Sequence, residues 1–270
     1  MMRFSICNEM FGEMPFDEVC RIAADIGYQG VEVAPFVLAD SINAIDQAQR
    51  QRLRETAGAH GLEIVGLHWL LIKPEGLHMT TPDDALRART RDYFIDLVHG
   101  CADLGGSILV CGSPKQRNVM DDYQASWDRL VEVFKPVAQA AGERGVTFCI
   151  EPLGPPENEF ITNAAEGRRM VEAVGHPNFQ LILDVKAMSA GEPGDIGQAI
   201  RDSAAVLKHF HANDANLLGP GMGDTDHAPI AAALKEIGYD GWVSVEVFKF
   251  ELGGPEIARQ SFAGLQRWYA

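Results

Sequence analysis

No stretch of the sequence approaches the roughly 18 consecutive apolar residues of a membrane span, so none is expected. The first residues, MMRFSICNEMFGEMPFDE, carry neither the basic segment nor the apolar run of a secretory signal. Basic charge is scarce: 23 Lys and Arg face 38 Asp and Glu, a formal net charge of −15. That balance repels a phosphate backbone and an anionic membrane surface, so nucleic acid and membranes are poor partners. The cysteines are few and odd in number, at Cys7, Cys20, Cys101, Cys111 and Cys149, with no zinc-site spacing. Most of them sit in apolar runs, which predicts reduced core thiols in a cytoplasmic protein. Also missing are a low-complexity linker and, in CNEMFGEMPF after the first apolar run, the glycine-rich phosphate turn of an open dinucleotide-binding sheet.

What is present is a regular alternation. Short β-like runs begin at Arg3 (RFSICN), Gly30 (GVEVAP), Glu63 (EIVGLHW), Ser107 (SILVCGS), Val146 (VTFCIEP), Phe179 (FQLILDV), Leu207 (LKHFHA) and Gly241 (GWVSVEVF). Amphipathic stretches such as PFDEVCRIAADIGY and SWDRLVEVFKPVAQAAGERG lie between them, and several end in glycine just before the next run. A glycine there closes a helix in the left-handed conformation. Strands alternating with helices predict a parallel sheet with helical crossovers. Eight such units in 270 residues fit a single (β/α)8 TIM barrel spanning residues 1–270.

Reactive groups of such a barrel emerge at the C-terminal ends of its strands. Glu151 follows FCI, Asp184 follows LIL, His211 follows HF, and Glu246 follows the last β-like SV pair. Each interrupts an apolar pattern where an ionisable group is costly without a partner. Alternate strand residues share a face, which pairs Cys149 with Glu151, Ile182 with Asp184, His209 with His211, and Ser244 with Glu246. One inward register therefore converges all four end residues on the barrel mouth. A single acid at a strand end is usually a cap or a loop charge; four together point to a metal site. Three carboxylates and one imidazole suit Mn2+ first, with Mg2+, Co2+ or Zn2+ also accepted. His209 lies about 7 Å deeper at roughly 3.3 Å per residue, and reads as a hydrogen-bonded layer residue below the site.

The blocks CIEPLGPPENEF, LILDVKAM, HFHANDANLLGPGMGD and GYDGWVSVEVF resemble the xylose isomerase-like barrel superfamily, in order and spacing, over nearly the whole chain. Within it they are most similar to sugar isomerases and epimerases: ketose 3-epimerases, hydroxypyruvate isomerase and inosose-processing enzymes. The resemblance implies one divalent metal on Glu151, Asp184, His211 and Glu246, with Glu151 and Glu246 also serving as the acid/base pair. One glutamate would remove the proton beside a carbonyl and the other return one on the opposite face, the metal stabilising the enediolate between. It further implies a small carbohydrate-like substrate and a homo-oligomer, dimer or tetramer.

Substrate contacts are expected from three more residues. Glu157 falls where the epimerases place a substrate-contacting glutamate. His68 closes the third strand and is placed to hydrogen-bond a sugar hydroxyl, with Trp69 walling the pocket. Lys186 shares the face of Asp184, and stands beside Ala187, where the epimerases carry a substrate-binding histidine. Leu217 likewise occupies the place of an epimerase arginine, so both departures fall on substrate recognition rather than on the metal. Asn8 and Glu9 end the first strand; Lys115 and Arg117, in GSPKQRN, read either as a greeting for an anionic group or as a solvated loop. Asp224, Asp226 and His227 read as the capped start of a helix. The competing activity is a metal-dependent lyase or dehydratase on a keto-sugar, keto-cyclitol or related hydroxy-carbonyl substrate. A silent sugar-binding barrel has no reason to keep both glutamates. The barrel relatives that cut DNA need more ligands and a basic surface.

Overall fold

The computed structural model describes residues 1–270. Each of the eight apolar runs becomes a strand: β1 (Arg3–Cys7), β2 (Gly30–Val33), β3 (Glu63–Leu67), β4 (Ile108–Cys111), β5 (Thr147–Ile150), β6 (Phe179–Asp184), β7 (Leu207–Ala212) and β8 (Trp242–Val245). They pair in sequence order, all parallel, and β8 closes on β1. The fold is therefore the single (β/α)8 barrel that the alternation predicts.

Ten helices connect and cover the strands: α1 (Phe16–Ile26), α2 (Pro35–Leu38), α3 (Gln47–Ala59), α4 (Asp84–Asp103), α5 (Tyr123–Arg144), α6 (Ala164–Val174), α7 (Val185–Gly191), α8 (Ile196–Asp202), α9 (His227–Glu236) and α10 (Gly254–Trp268). Their starts follow side-chain chemistry. Asp122 accepts from Ala125 N–H, Asn163 from Glu166 N–H and Asp226 from Ala228 N–H. Gly27, Gly145 and Gly175 end α1, α5 and α6 at φ +116°, +68° and +68°. α3 is the helix least visible in the sequence, because only Ala57 of it is buried; its apolar stripe is nearly absent.

Apolar side chains form two layers. The large one lies between barrel and helices and holds an aromatic group of Phe94, Phe134, Phe148 and Phe179. The smaller one, Val65, Ile108, Val110, Cys149, Ile182 and Trp242, takes the alternate strand positions and fills the barrel's interior below the mouth. Gly66 serves that closure: a Cβ there would overlap the carbonyl of Ile108 on the neighbouring strand. All five cysteines are free and buried, and no helix is long and apolar enough to cross a membrane. The long connections follow β3, β4, β5 and β7, all at the strands' C-terminal ends. These loops build the mouth.

Candidate active site and metal centre

Glu151, Asp184, His211 and Glu246 offer ligand atoms that all lie within 4.8 Å of one another, and all four are buried. Asp184 and His211 sit opposite each other in the β6–β7 register, and His211 opposes Ser244 two residues before Glu246. Local structure holds each one. Asp184 caps α7 through Ala187 N–H at 2.7 Å, and its other oxygen accepts from the amide of Asn213 at 2.5 Å. Glu246 accepts the indole N–H of Trp69 at 2.6 Å on one oxygen and faces His211 Nδ1 at 3.1 Å with the other. Glu151 is seated by omission, since a Cβ on Gly112 would overlap its Oε2.

The electrostatics are those of crowded carboxylates. Burial raises Glu151 well above the usual range, and the charges of Glu246 and Asp184 raise it further. Burial and Glu246 likewise push Asp184 up to about 6, against the pull of Lys186. Burial opposes ionisation of Glu246 too, but His211, in contact with it, holds it below its ordinary value. His211 is itself desolvated, yet Glu32 and Glu246 on its two sides hold it well above the ordinary imidazole range. Three acids and one imidazole in so small a volume fit a divalent cation, which relieves the repulsion and matches an oxygen-rich donor set.

Below this group lies a second polar layer. Glu32, in the middle of β2 and fully buried, accepts from His209 Nε2 at 2.8 Å and faces His211 Nε2 at 3.1 Å. His209 thus has the buried, hydrogen-bonded setting expected of it. His68 does not stand on the cavity wall as expected. It is fully buried, with Nε2 2.7 Å from Glu9, and is not among the residues that line the cavity. Strand ends alone do not reveal Glu32. A lone carboxylate inside the otherwise apolar GVEVAP was the signal available.

A cavity of about 230 Å³ opens above the four donors, and Glu151 and Glu246 both line it. Trp69 forms one wall, stacked between Phe36 and Phe248 at ring distances of 5.8 and 5.9 Å. Lys186 and Glu157 also line it and join at 2.6 Å, with the Lys186 ammonium 3.9 Å over the Phe248 ring. Lys186 is therefore buried and paired, not solvent-exposed. Lys115 stands at the exposed rim. Arg117 meets neither expectation for it: it is fully buried and donates to the carbonyl oxygens of Glu151, at 2.6 Å, and Ile161, at 3.4 Å. The loop after β7 is held by Asp214, which accepts from Gly223, Thr225 N–H and Thr225 Oγ1; Asp226 caps α9. His227 is the buried first residue of α9, with Nδ1 2.8 Å from the Tyr269 hydroxyl.

The family model described as "Xylose isomerase-like TIM barrel" matches residues 20–268. The chain belongs to that family. Members similar to it include the D-psicose 3-epimerase of Ruminiclostridium cellulolyticum, 30% identical over 86% of this chain and 77% of that protein. The L-ribulose 3-epimerase of Mesorhizobium japonicum is 29% identical over 70% of this chain and 64% of its own length. Among solved members of this barrel family, a crystal structure of D-psicose 3-epimerase in the presence of D-fructose has a TM-score of 0.88 at 25% identity. The match covers 99% of both chains. The four-donor group lies at the strands' C-terminal ends, the face where (β/α)8 barrels in general carry their reactive groups.

Proposed function

We propose that the protein is a divalent-metal-dependent sugar isomerase, acting as an epimerase on a small hydroxy-ketone. The observation that carries this reading is that Glu151 and Glu246 belong to one four-donor group and also line one cavity. The relatives named as ketose 3-epimerases support the same class. Glu151, Asp184, His211 and Glu246 would hold the cation, with Mn2+ the best match and Mg2+, Co2+ or Zn2+ also accepted by such donors. When bound, the metal supplies Lewis-acid stabilisation of negative charge on the substrate oxygens.

The chain's own residues do the rest. One glutamate takes the proton from the carbon beside the carbonyl, leaving an enediolate; the other delivers a proton to the opposite face and inverts the centre. Their environments in the metal-free fold differ: His211 holds Glu246 below its ordinary value against the effect of burial, whereas burial and the charges of Glu246 and Asp184 raise Glu151. Lys186 and Glu157 present a donor and an acceptor to hydroxyls farther along the substrate. The Trp69 and Phe248 rings pack against its carbon skeleton.

The test is incubation with Mn2+ and a panel of ketoses, keto-acids and inososes in D2O. The expected product has the substrate's composition and gains deuterium at the carbon beside the carbonyl. A product lighter by water or another fragment would point instead to the lyase. Absence of exchange with every substrate, in protein shown to bind metal, overturns the enzymatic reading.

A further inference from the structure

Glu32 sits in the strand three places from β7 around the barrel, yet its carboxylate reaches across the lumen to two imidazoles of that strand. Its Oε2 lies 2.8 Å from His209 Nε2 and its Oε1 lies 3.1 Å from His211 Nε2, with all three residues fully buried. His209 Nδ1 has no partner, so the proton of that ring belongs on Nε2, donated to Glu32. His211 differs, because each of its nitrogens faces a carboxylate: Nε2 faces Glu32 and Nδ1 faces Glu246, at 3.1 Å each.

We propose that Glu32 is a positioning residue that fixes the tautomer of His211, keeping its proton on Nε2 so that Nδ1 is the nitrogen offered to the metal. The inference rests on the metal-dependent reading above. An imidazole that ligates a metal is neutral and keeps one N–H, and in a dry interior that N–H goes to the acceptor that stands ready on the ring's other side. With Glu32 in place, the proton stays on the side away from the cavity. Without it, the only carboxylate within 4.0 Å of a ring nitrogen is Glu246, which faces Nδ1. The proton would then move to Nδ1 and mask the very lone pair that completes the four-donor set. The ring is also held against rotation, because the same carboxylate is anchored at its other oxygen by His209. Glu32 is not itself a fifth donor: both of its oxygens already meet an imidazole nitrogen, and it has no exposure to the cavity. Carboxylates behind metal-binding histidines act this way in general, and their loss weakens metal affinity about 10–100-fold.

Two measurements test this without recourse to turnover. In the first, Mn2+ is titrated calorimetrically into metal-stripped protein and into the variant Glu32→Gln, with circular-dichroism melts of both. Glutamine keeps the shape but offers one acceptor oxygen where two imidazoles need one each. The expected result is one Mn2+ per chain in both proteins, bound about 10–100-fold more weakly by the variant. Equal affinities in two folded proteins overturn the positioning role. No Mn2+ binding by the unsubstituted protein overturns the metal-dependent reading beneath it, a different result. The second measurement needs no variant: histidine-ring nitrogen NMR of the zinc-loaded protein. It should show His211 protonated on Nε2 and unprotonated on Nδ1; the reverse pattern overturns the inference even where Glu32→Gln fails to fold.

Discussion

The indole N–H of Trp69 lies 2.6 Å from Oε1 of Glu246, joining the end of β3 to the end of β8 across the mouth of the barrel. Trp69 does this from a left-handed backbone, φ +51°, a conformation that costs a bulky residue of order 1–3 kcal/mol. Its ring is meanwhile sandwiched between Phe36 and Phe248. Stacking thus holds in place a strained residue whose polar edge orients an ionised carboxylate.

The Trp69→Phe variant keeps an aromatic wall and removes only the donor. Losing the donor that orients Glu246 should lower kcat roughly 10–100-fold through misplacement of the carboxylate, and losing a hydrogen bond to a charged group, about 1.5–3 kcal/mol, should also lower the melting temperature. Steady-state kinetics beside a thermal melt separates the two. A variant that loses stability but not kcat would assign Trp69 to packing alone.

On the proposed reading, Glu151→Gln and Glu246→Gln should each abolish solvent deuterium incorporation into substrate, because each would remove one of two proton carriers as well as a metal donor. Proton NMR of the substrate in D2O reads this directly. Exchange retained in both variants removes these residues from the acid/base roles.

Metal binding should strengthen as pH rises through about 6. Burial and the charge of Glu246 raise Asp184 to about 6, and Glu151 is raised in the same direction. An unfolded Asp titrates near 3.9, so between roughly pH 4 and 6 the metal-free fold holds more protons than the unfolded chain. The slope of stability with pH is then negative: this contribution is complete below pH 4 and is lost as pH rises through the folded value. A cation displaces those protons, so the extra stability it confers must grow over the same interval. Melts with and without Mn2+ from pH 5 to 7.5 should diverge. Metal titrations near pH 6 in buffers of different ionisation enthalpy should show proton release. A pH-independent difference would contradict the crowding of the carboxylates.

Lys186→Met should raise KM while leaving Mn2+ affinity within a few-fold. The substitution removes the ammonium that joins Glu157 at 2.6 Å but leaves Asp184 held by Ala187 N–H and Asn213. A double-mutant cycle with Glu157→Gln measures whether the two act on substrate as a pair. Strictly additive effects would show that they do not.

Phe134→Ala tests the scaffold. Its ring lies 5.6 Å from Phe148, 5.0 Å from Phe179 and 6.2 Å from Phe94, with no exposure to solvent. Truncation should cost about 3–5 kcal/mol in denaturant unfolding. A cost below 1 kcal/mol would mean that the layer between α5 and the barrel closes around the gap.

The period of the apolar pattern already contains the barrel, because a parallel strand buried on both faces must be apolar throughout and each crossover must bring its own amphipathic helix. It also contains the four end residues, since Glu151, Asp184, His211 and Glu246 each break such a run at its C-terminal end. What each polar side chain then meets is a different matter. His68 reads as a substrate contact and Arg117 as either an anion contact or a solvated loop residue, yet they face Glu9 and the carbonyl of Glu151 inside the fold. Glu32 and His211 are 179 residues apart in the chain, and Trp69 and Glu246 are 177 apart. Local pattern fixes which face of a strand a residue occupies. Only closure of the barrel decides which opposing side chain it meets, because that depends on the register of every strand between them.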